Sequence, residues 1–186
     1  MIRPRSLSTP LSGDEAQSLR AGDVVYLSGT LHTAREEAHQ RLLADLDAGR
    51  PVPFPLDGAV IYYVGPSPMT PNRPIGAAGP SSASRMDRFA PKLHQLGVRA
   101  TIGKGRRSPG MRQALMEHQG VYLGATGGAG ALLSLCIRQV RLAAYPELGS
   151  EAVYSLDVVD FPLVVLQDSH GADMHVAPDL AAALSG

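Results

Sequence analysis

The apolar positions fall into short runs punctuated by glycine, proline and aspartate. Runs at residues 23–31, 59–65, 98–102, 121–125, 141–145 and 163–167 are rich in β-branched and aromatic residues and predict strands. Several are apolar at successive positions rather than alternate ones, the pattern of strands covered on both faces. A spacing of three and four predicts helices at 34–48, at 85–96 with Pro91 interrupting, at 109–118, at 129–140 and weakly at 179–184. Strands and helices are interleaved without a repeat period or a low-complexity linker. The expectation is one α/β layered domain over residues 1–186, with residues 1–15 flexible and the proline-rich stretch 66–80 a single long loop.

Local punctuation sharpens the helix starts. Thr33-Ala34-Arg35-Glu36 has the form of a capping box that starts the first helix at Ala34. Ser84 is the expected cap of the second. Ser108 followed by Pro109 caps the third, and Gly120 is its expected left-handed terminus.

Composition narrows the function classes. The 186 residues carry 17 Lys plus Arg against 17 Asp plus Glu, so there is no polycationic surface for nucleic acid or an anionic membrane. The longest purely apolar run, 59–64, is far short of a bilayer span, and no apolar leader opens the chain, so a cytoplasmic protein is expected. Cys136 is the single cysteine, and the six histidines show no metal-binding spacing, so the chain cannot itself ligate an iron–sulfur cluster.

Four constellations can carry chemistry. Arg35 and His39, four apart, share one face of the first helix, and Arg35 lies in the turn where free amides attract anions; a solvated helix face is the alternative. In Gly79-Pro80-Ser81-Ser82-Ala83-Ser84-Arg85-Met86-Asp87, hydroxyls, amides and Arg85 converge at a helix start, which reads either as an anion pocket or as a plain capped terminus. Ile102-Gly103-Lys104-Gly105 puts a lysine between glycines at a strand end, where backbone can approach a ligand; it lacks the order of a nucleotide-binding P-loop. Arg106 and Arg107 beyond it are expected on a solvated surface. The glycine-rich 124–130 also lacks a dinucleotide fingerprint and reads as tight strand-to-helix packing, with Cys136 a small buried hydrophobe on the helix that follows. Asp168-Ser169-His170-Gly171 reads as a turn, with His170 a turn residue.

Six segments taken together, YLSGTLHTAREEAHQRL, IYYVGPSP, GPSSASRMD, IGKG, YLGATGGAGALL and ELGSEAV followed by DFP, resemble the β subunit, or C-terminal domain, of the iron–sulfur-dependent class I fumarate hydratase and L(+)-tartrate dehydratase family. The resemblance runs over residues 22–175. It implies a swivelling β/β/α fold with a mixed sheet and flanking helices, and a hydro-lyase that reversibly hydrates a small unsaturated dicarboxylate, fumarate first. It also implies a four-iron four-sulfur cluster held by a partner α subunit and not by this chain, with a higher heteromer such as α2β2. Carried over by motif, Ser81, His39 and Lys104 are catalytic, and Arg35, Arg85, Lys104 and Ser82 bind substrate. Two serines stand where the family has threonines, and Glu36 stands for its aspartate in a retained capping role.

Tartrate or a methylfumarate remain open as substrates. A non-catalytic dicarboxylate-binding module is the reading from another class. A serine hydrolase fits poorly, because no G-x-S-x-G elbow surrounds Ser81 or Ser82.

Overall fold

The computed structural model describes residues 4–68, 71, 74–125 and 130–176. Seven strands form one mixed sheet: β1 (Arg5–Ser8), β2 (Val24–Thr33), β3 (Val60–Tyr62), β4 (Ala100–Gly103), β5 (Val121–Gly124), β6 (Ile137–Ala144) and β7 (Val153–Gln167). Strands β1 to β5 run parallel in the order β1-β2-β3-β4-β5, and β7 returns antiparallel beside both β5 and β2. The ring β2-β3-β4-β5-β7 therefore closes on itself as a five-stranded barrel. β6 pairs with β7 outside it, against residues 153–158.

Side-chain alternation then divides the apolar residues into two cores. Val60, Tyr62, Ile102, Leu123, Phe161 and Val165 fill one. Their sequence neighbours Ile61, Tyr63 and Tyr122 belong to the second, beneath the helices, with Leu42, Met86, Leu93 and Leu115. Runs apolar at every position are thus strands buried on both faces, as expected.

Helices α2 (Glu36–Asp47), α3 (Ala90–Gln95) and α4 (Pro109–Glu117) lie in the connections between the parallel strands. The Ser108 cap forms as expected, its hydroxyl accepting from the Met111 amide at 3.2 Å. The α4 terminus differs: Gln119, not Gly120, takes the left-handed conformation at φ 56°. Gly120 is glycine for space, because a Cβ there would lie 2.4 Å from Nδ1 of His94.

Four further expectations give way. The stretch placed in a flexible 1–15 contains β1, paired with β2, and the start of α1 (Gly13–Ser18). A true capping box opens α1, with Ser12 Oγ accepting from the Glu15 amide and the Glu15 carboxylate accepting from the Ser12 amide. The Thr33 capping box does not form. Helix α2 begins at Glu36 with Arg35 as its uncapped N-cap, while the Thr33 hydroxyl accepts from the Tyr154 amide at 2.9 Å and so ties β2 to β7. The 85–96 helix is a 3₁₀ turn (Ala83–Met86) followed by α3, and Ser82 rather than Ser84 stands at the N-cap position of the turn, without a side-chain cap bond. The 129–140 helix shrinks to α5 (Gly130–Ser134), and Ile137 onward is strand β6, so Cys136 is half-buried between the two.

Asp168 behaves as a turn residue should. Its buried carboxylate accepts from the amides of Ala21, His170 and Ala172 at 2.9 to 3.0 Å. Residues 179–184 and 126–129 lie outside the described residues. Among those described, no helix is long and apolar enough to cross a membrane.

Candidate functional site

The carboxyl ends of parallel strands are where an α/β sheet leaves a crevice. Here the ends of β2, β3 and β4 bring three of the four sequence constellations together. Past β3, the Ser81–Ala83 segment is stitched between the diverging ends of β3 and β4. The Ser81 amide donates to the Tyr63 carbonyl (2.7 Å), the Lys104 amide to the Ser81 carbonyl (3.1 Å), and the Ala83 amide to the Lys104 carbonyl (2.9 Å). The Tyr62 hydroxyl donates to the Ala78 carbonyl and fixes the approach to this segment. Ser81 and Lys104 are therefore held by backbone bonds that do not depend on their side chains.

The glycines have assignable work. A Cβ on Gly103 would sit 3.0 Å from both the Ala83 Cβ and Tyr63 Cδ2, so the close approach expected of this glycine is to the serine segment. Gly130, at the head of α5, packs its Cα face against the Gly79 backbone and accepts the Ala78 amide.

Ser82, Arg85 and Lys104 are exposed and Ser81 is half-buried. Among the described residues, no carboxylate lies within 4 Å of the Lys104 ammonium. The two arginines are paired. Arg85 Nε meets Glu36 Oε1, and Arg35 Nη2 meets Glu151 Oε1 at 3.2 Å. Glu36 Oε2 stands 4.0 Å from Arg35 Nε, both atoms buried and without a hydrogen bond. Glu36 thus bridges toward two arginines instead of capping its helix. Arg35 lies over Gly65, with Nη1 2.7 Å from where a Cβ would be.

His39 does not share an open face with Arg35. Its ring is fully buried between Phe89 and Tyr63, and Nδ1 donates to the Arg35 carbonyl at 2.7 Å. Burial pushes its pKa down to about 4, so the ring is neutral, with Nε2 facing no partner. What reaches the site from His39 is a grip on the Arg35 backbone.

Arg107 overturns its surface assignment outright. Its side chain is buried, packed 5.3 Å from the Tyr63 ring centre and 5.0 Å from that of Tyr122. Nε donates to Asp87 Oδ1 (2.6 Å) and Nη1 to Thr101 Oγ1 (2.9 Å). Asp87 Oδ2 also accepts the Ser108 amide at 2.6 Å. This pair ties the turn carrying Arg85 to the loop carrying Lys104. The available signal was an acid at the end of the Ser-Arg motif and an arginine beside Gly-Lys-Gly, each three residues or fewer from a candidate cation.

The residues present do not fit a four-iron four-sulfur cluster. Among the described residues no three His, Cys, Asp or Glu side chains converge as metal ligands, and one cysteine cannot hold four irons.

A family model described as the fumarase C-terminus matches residues 4–177. The chain belongs to that family. It is 39% identical over 156 residues to fumarate hydratase 2 of Leishmania major, covering 83% of this chain and 28% of that protein. It is 38% identical over 149 residues to the anaerobic class I fumarate hydratase of Escherichia coli, covering 79% and 27%. Against a protein named putative L(+)-tartrate dehydratase subunit beta from Methanocaldococcus jannaschii, identity is 34% over 171 residues, covering 89% of this chain and 88% of that one. This fumarase-C-terminal chain thus spans under a third of the two fumarate hydratases but nearly all of the β subunit.

Proposed function

We propose that this chain is the β subunit of an iron–sulfur hydro-lyase that reversibly adds water across a small unsaturated dicarboxylate, fumarate to malate. The observation that carries the reading is the gathering of Arg35, Arg85, Lys104 and Ser81 at the carboxyl ends of β2, β3 and β4, in a chain of the fumarase C-terminal family. The cluster, which supplies Lewis-acid chemistry at the substrate hydroxyl, belongs to a separate α subunit in this reading. Near full-length coverage of the tartrate dehydratase β subunit supports the two-chain arrangement, an α2β2 heteromer among its forms. The whole chain acts as one domain that swivels onto the α subunit.

The chemistry assigned to this chain is charge placement and one proton transfer. Arg35 and Arg85 bind the substrate carboxylates, with Ser82 alongside. Taking the C3 proton from malate builds negative charge toward the neighbouring carboxylate, and fixed cations stabilise that charge most when water is excluded. Ser81 Oγ receives the proton. Lys104, one hydrogen-bonded residue away, favours the alkoxide that this requires. Enclosed as it is, His39 acts through Arg35 as a positioning residue.

The same 88% coverage favours tartrate as the second reading. Anaerobic co-expression with a cluster-bearing α chain of this family, followed by fumarate absorbance on adding malate, separates the cases. Fumarate formation that needs both chains supports the proposal. Consumption of tartrate or a methylated analogue alone moves the substrate and keeps the chemistry. No copurifying partner and no turnover would leave the dicarboxylate-binding module.

A further inference from the structure

The connection between β6 and β7 is laid along α2 and clamped to it at three places. Tyr145 Oη donates to Asp45 Oδ2 at 2.7 Å near the end of α2. Glu147 pairs with Arg41 at 3.2 Å in its middle. At the start of the helix, Glu151 closes the 3₁₀ segment Pro146–Glu151 and uses both carboxylate oxygens: Oε1 meets Arg35 Nη2 at 3.2 Å, and Oε2 accepts the Glu37 amide at 2.9 Å. Helix α2 has no side-chain cap of its own at Arg35, so Glu151 supplies one from more than a hundred residues away.

We propose that Glu151 is the positioning residue of the site: it fixes the Arg35 guanidinium against the α2 N-terminus, ready for a substrate carboxylate. The inference rests on the hydro-lyase reading for what Arg35 contacts, and on the two Glu151 bonds for what holds Arg35. The other groups facing that guanidinium fit the assignment. Glu36 Oε2 approaches only to 4.0 Å and is committed through Oε1 to Arg85. Gly65 provides the clearance under Nη1, and the Ser150 carbonyl borders the same space, 3.3 Å from where a Gly65 Cβ would be. Of these groups Glu151 alone is bonded to both the helix start and the guanidinium.

Two substitutions divide the two bonds. Glu151→Gln retains an oxygen for the Glu37 amide and removes the charge opposite Arg35; Glu151→Ala removes both. In the full chain, hydrogen exchange at the Glu37 amide should stay within about threefold of wild type for Gln and rise tenfold or more for Ala. Hindered rotation of the Arg35 guanidinium, read from its side-chain nitrogen resonances, should be lost in both.

In the active complex, kcat should fall tenfold or more in both variants. KM should change less than threefold, because losing a carboxylate from the site does not weaken a dianion's ground-state binding while losing orientation weakens the transition state. Glu147→Gln, on the same connection but paired with Arg41, should leave kcat unchanged. A Gln variant with wild-type kcat and wild-type Arg35 resonances, or an Ala variant with unchanged Glu37 exchange, overturns the proposal. If the wild-type complex turns over no dicarboxylate, the hydro-lyase reading falls, and the Arg35 resonances still decide whether Glu151 holds it.

Discussion

Asp87→Asn is the substitution that most directly tests how the site is held. Asp87 accepts two hydrogen bonds on two different oxygens, from Arg107 Nε and from the Ser108 amide, both at 2.6 Å. An asparagine has one oxygen and one NH2, so one of these donors would face another donor. The Arg107 guanidinium, with no exposed surface, would also lose its only carboxylate among the described residues. Removing one partner of a buried pair costs about 3–5 kcal/mol. Set against a total stability of about 5–15 kcal/mol, and about 2–4 °C per kcal/mol for a chain of this length, the midpoint should fall by about 6–20 °C. Urea and thermal unfolding of the full chain by circular dichroism would measure it. Arg107→Met should cost less, because Asp87 is nearer the surface and keeps the Ser108 amide, and the Asp87→Asn/Arg107→Met double variant should recover part of the loss. A cost below about 1 kcal/mol for Asp87→Asn would refute the reasoning and leave the Arg85 turn and the Lys104 loop held by backbone bonds alone.

Three other outcomes follow from the geometry. Gly65→Ala pushes a methyl to 2.7 Å from Arg35 Nη1 and 3.3 Å from the Ser150 carbonyl, so it should displace the guanidinium and cut turnover of the complex while leaving the unfolding midpoint nearly unchanged; normal turnover would mean Arg35 does not act from its observed place. In the assembled enzyme, Ser81→Ala should nearly abolish turnover and Ser81→Thr preserve it, while Lys104→Ala and Arg85→Ala should each cost about 2–5 kcal/mol of transition-state stabilisation, read from kcat/KM. Acid should unfold the chain early: His39 and His94, both fully buried, have pKa values lowered by burial from 6.5 to about 4 and about 3, so the unfolded state takes up protons that the native state refuses. Their contribution is complete above pH 6.5 and is lost as pH falls toward 4 for His39 and toward 3 for His94, at about 1.4 kcal/mol per pH unit for each histidine. His94→Leu should flatten the stability slope near pH 5 by about that amount, and an unchanged slope would mean His94 titrates normally.

Strands β2 to β5 and helix α4 were legible because their signals are local: β-branched runs between glycines, and a serine–proline start. The barrel was not, since closure depends on β7 reaching both β2 and β5, and nothing in a strand's own residues says which edge it will find. Thr33 had every local feature of a helix cap, yet the β7 backbone offered its hydroxyl an amide at Tyr154. A similar cap at Ser12, in a stretch too polar to suggest order, did form because Leu7, Leu11, Ala16 and Leu19 around it are buried. The strand expected at 141–145 begins four residues earlier, so the first half of β6, 137–140, was read as the end of a helix whose Leu132 and Leu135 proved to be exposed. The motifs singled out Arg35, Ser81, Arg85 and Lys104 one by one, and the fold brings them to the same end of the sheet. They could not distinguish Lys104, open to solvent, from Arg107 three residues on, because burial of an arginine is decided by Tyr63, Tyr122 and Asp87 from other segments.

The charge balance of the site bears on the proposed partner. Arg35 and Arg85 are each matched by a glutamate, so the described cluster offers a dianion a net charge of one, from Lys104. Lys104 and Arg85 both stand in water, where a pair of charges 4 Å apart is worth about 1 kcal/mol. The same charges under a protein cover, at the lower effective dielectric of a partly buried site, are worth several times that. In the hydro-lyase reading, an α subunit closing over the ends of β2, β3 and β4 therefore contributes more than its cluster: by excluding water from Arg85 and Lys104 it strengthens the electrostatic element of the reaction that they form with the half-buried Arg35. The asymmetry of the site fits that division. The His39 ring and the Arg107 guanidinium that support the cations from below are buried, while the ends of Arg85 and Lys104 that would meet a dicarboxylate are left open.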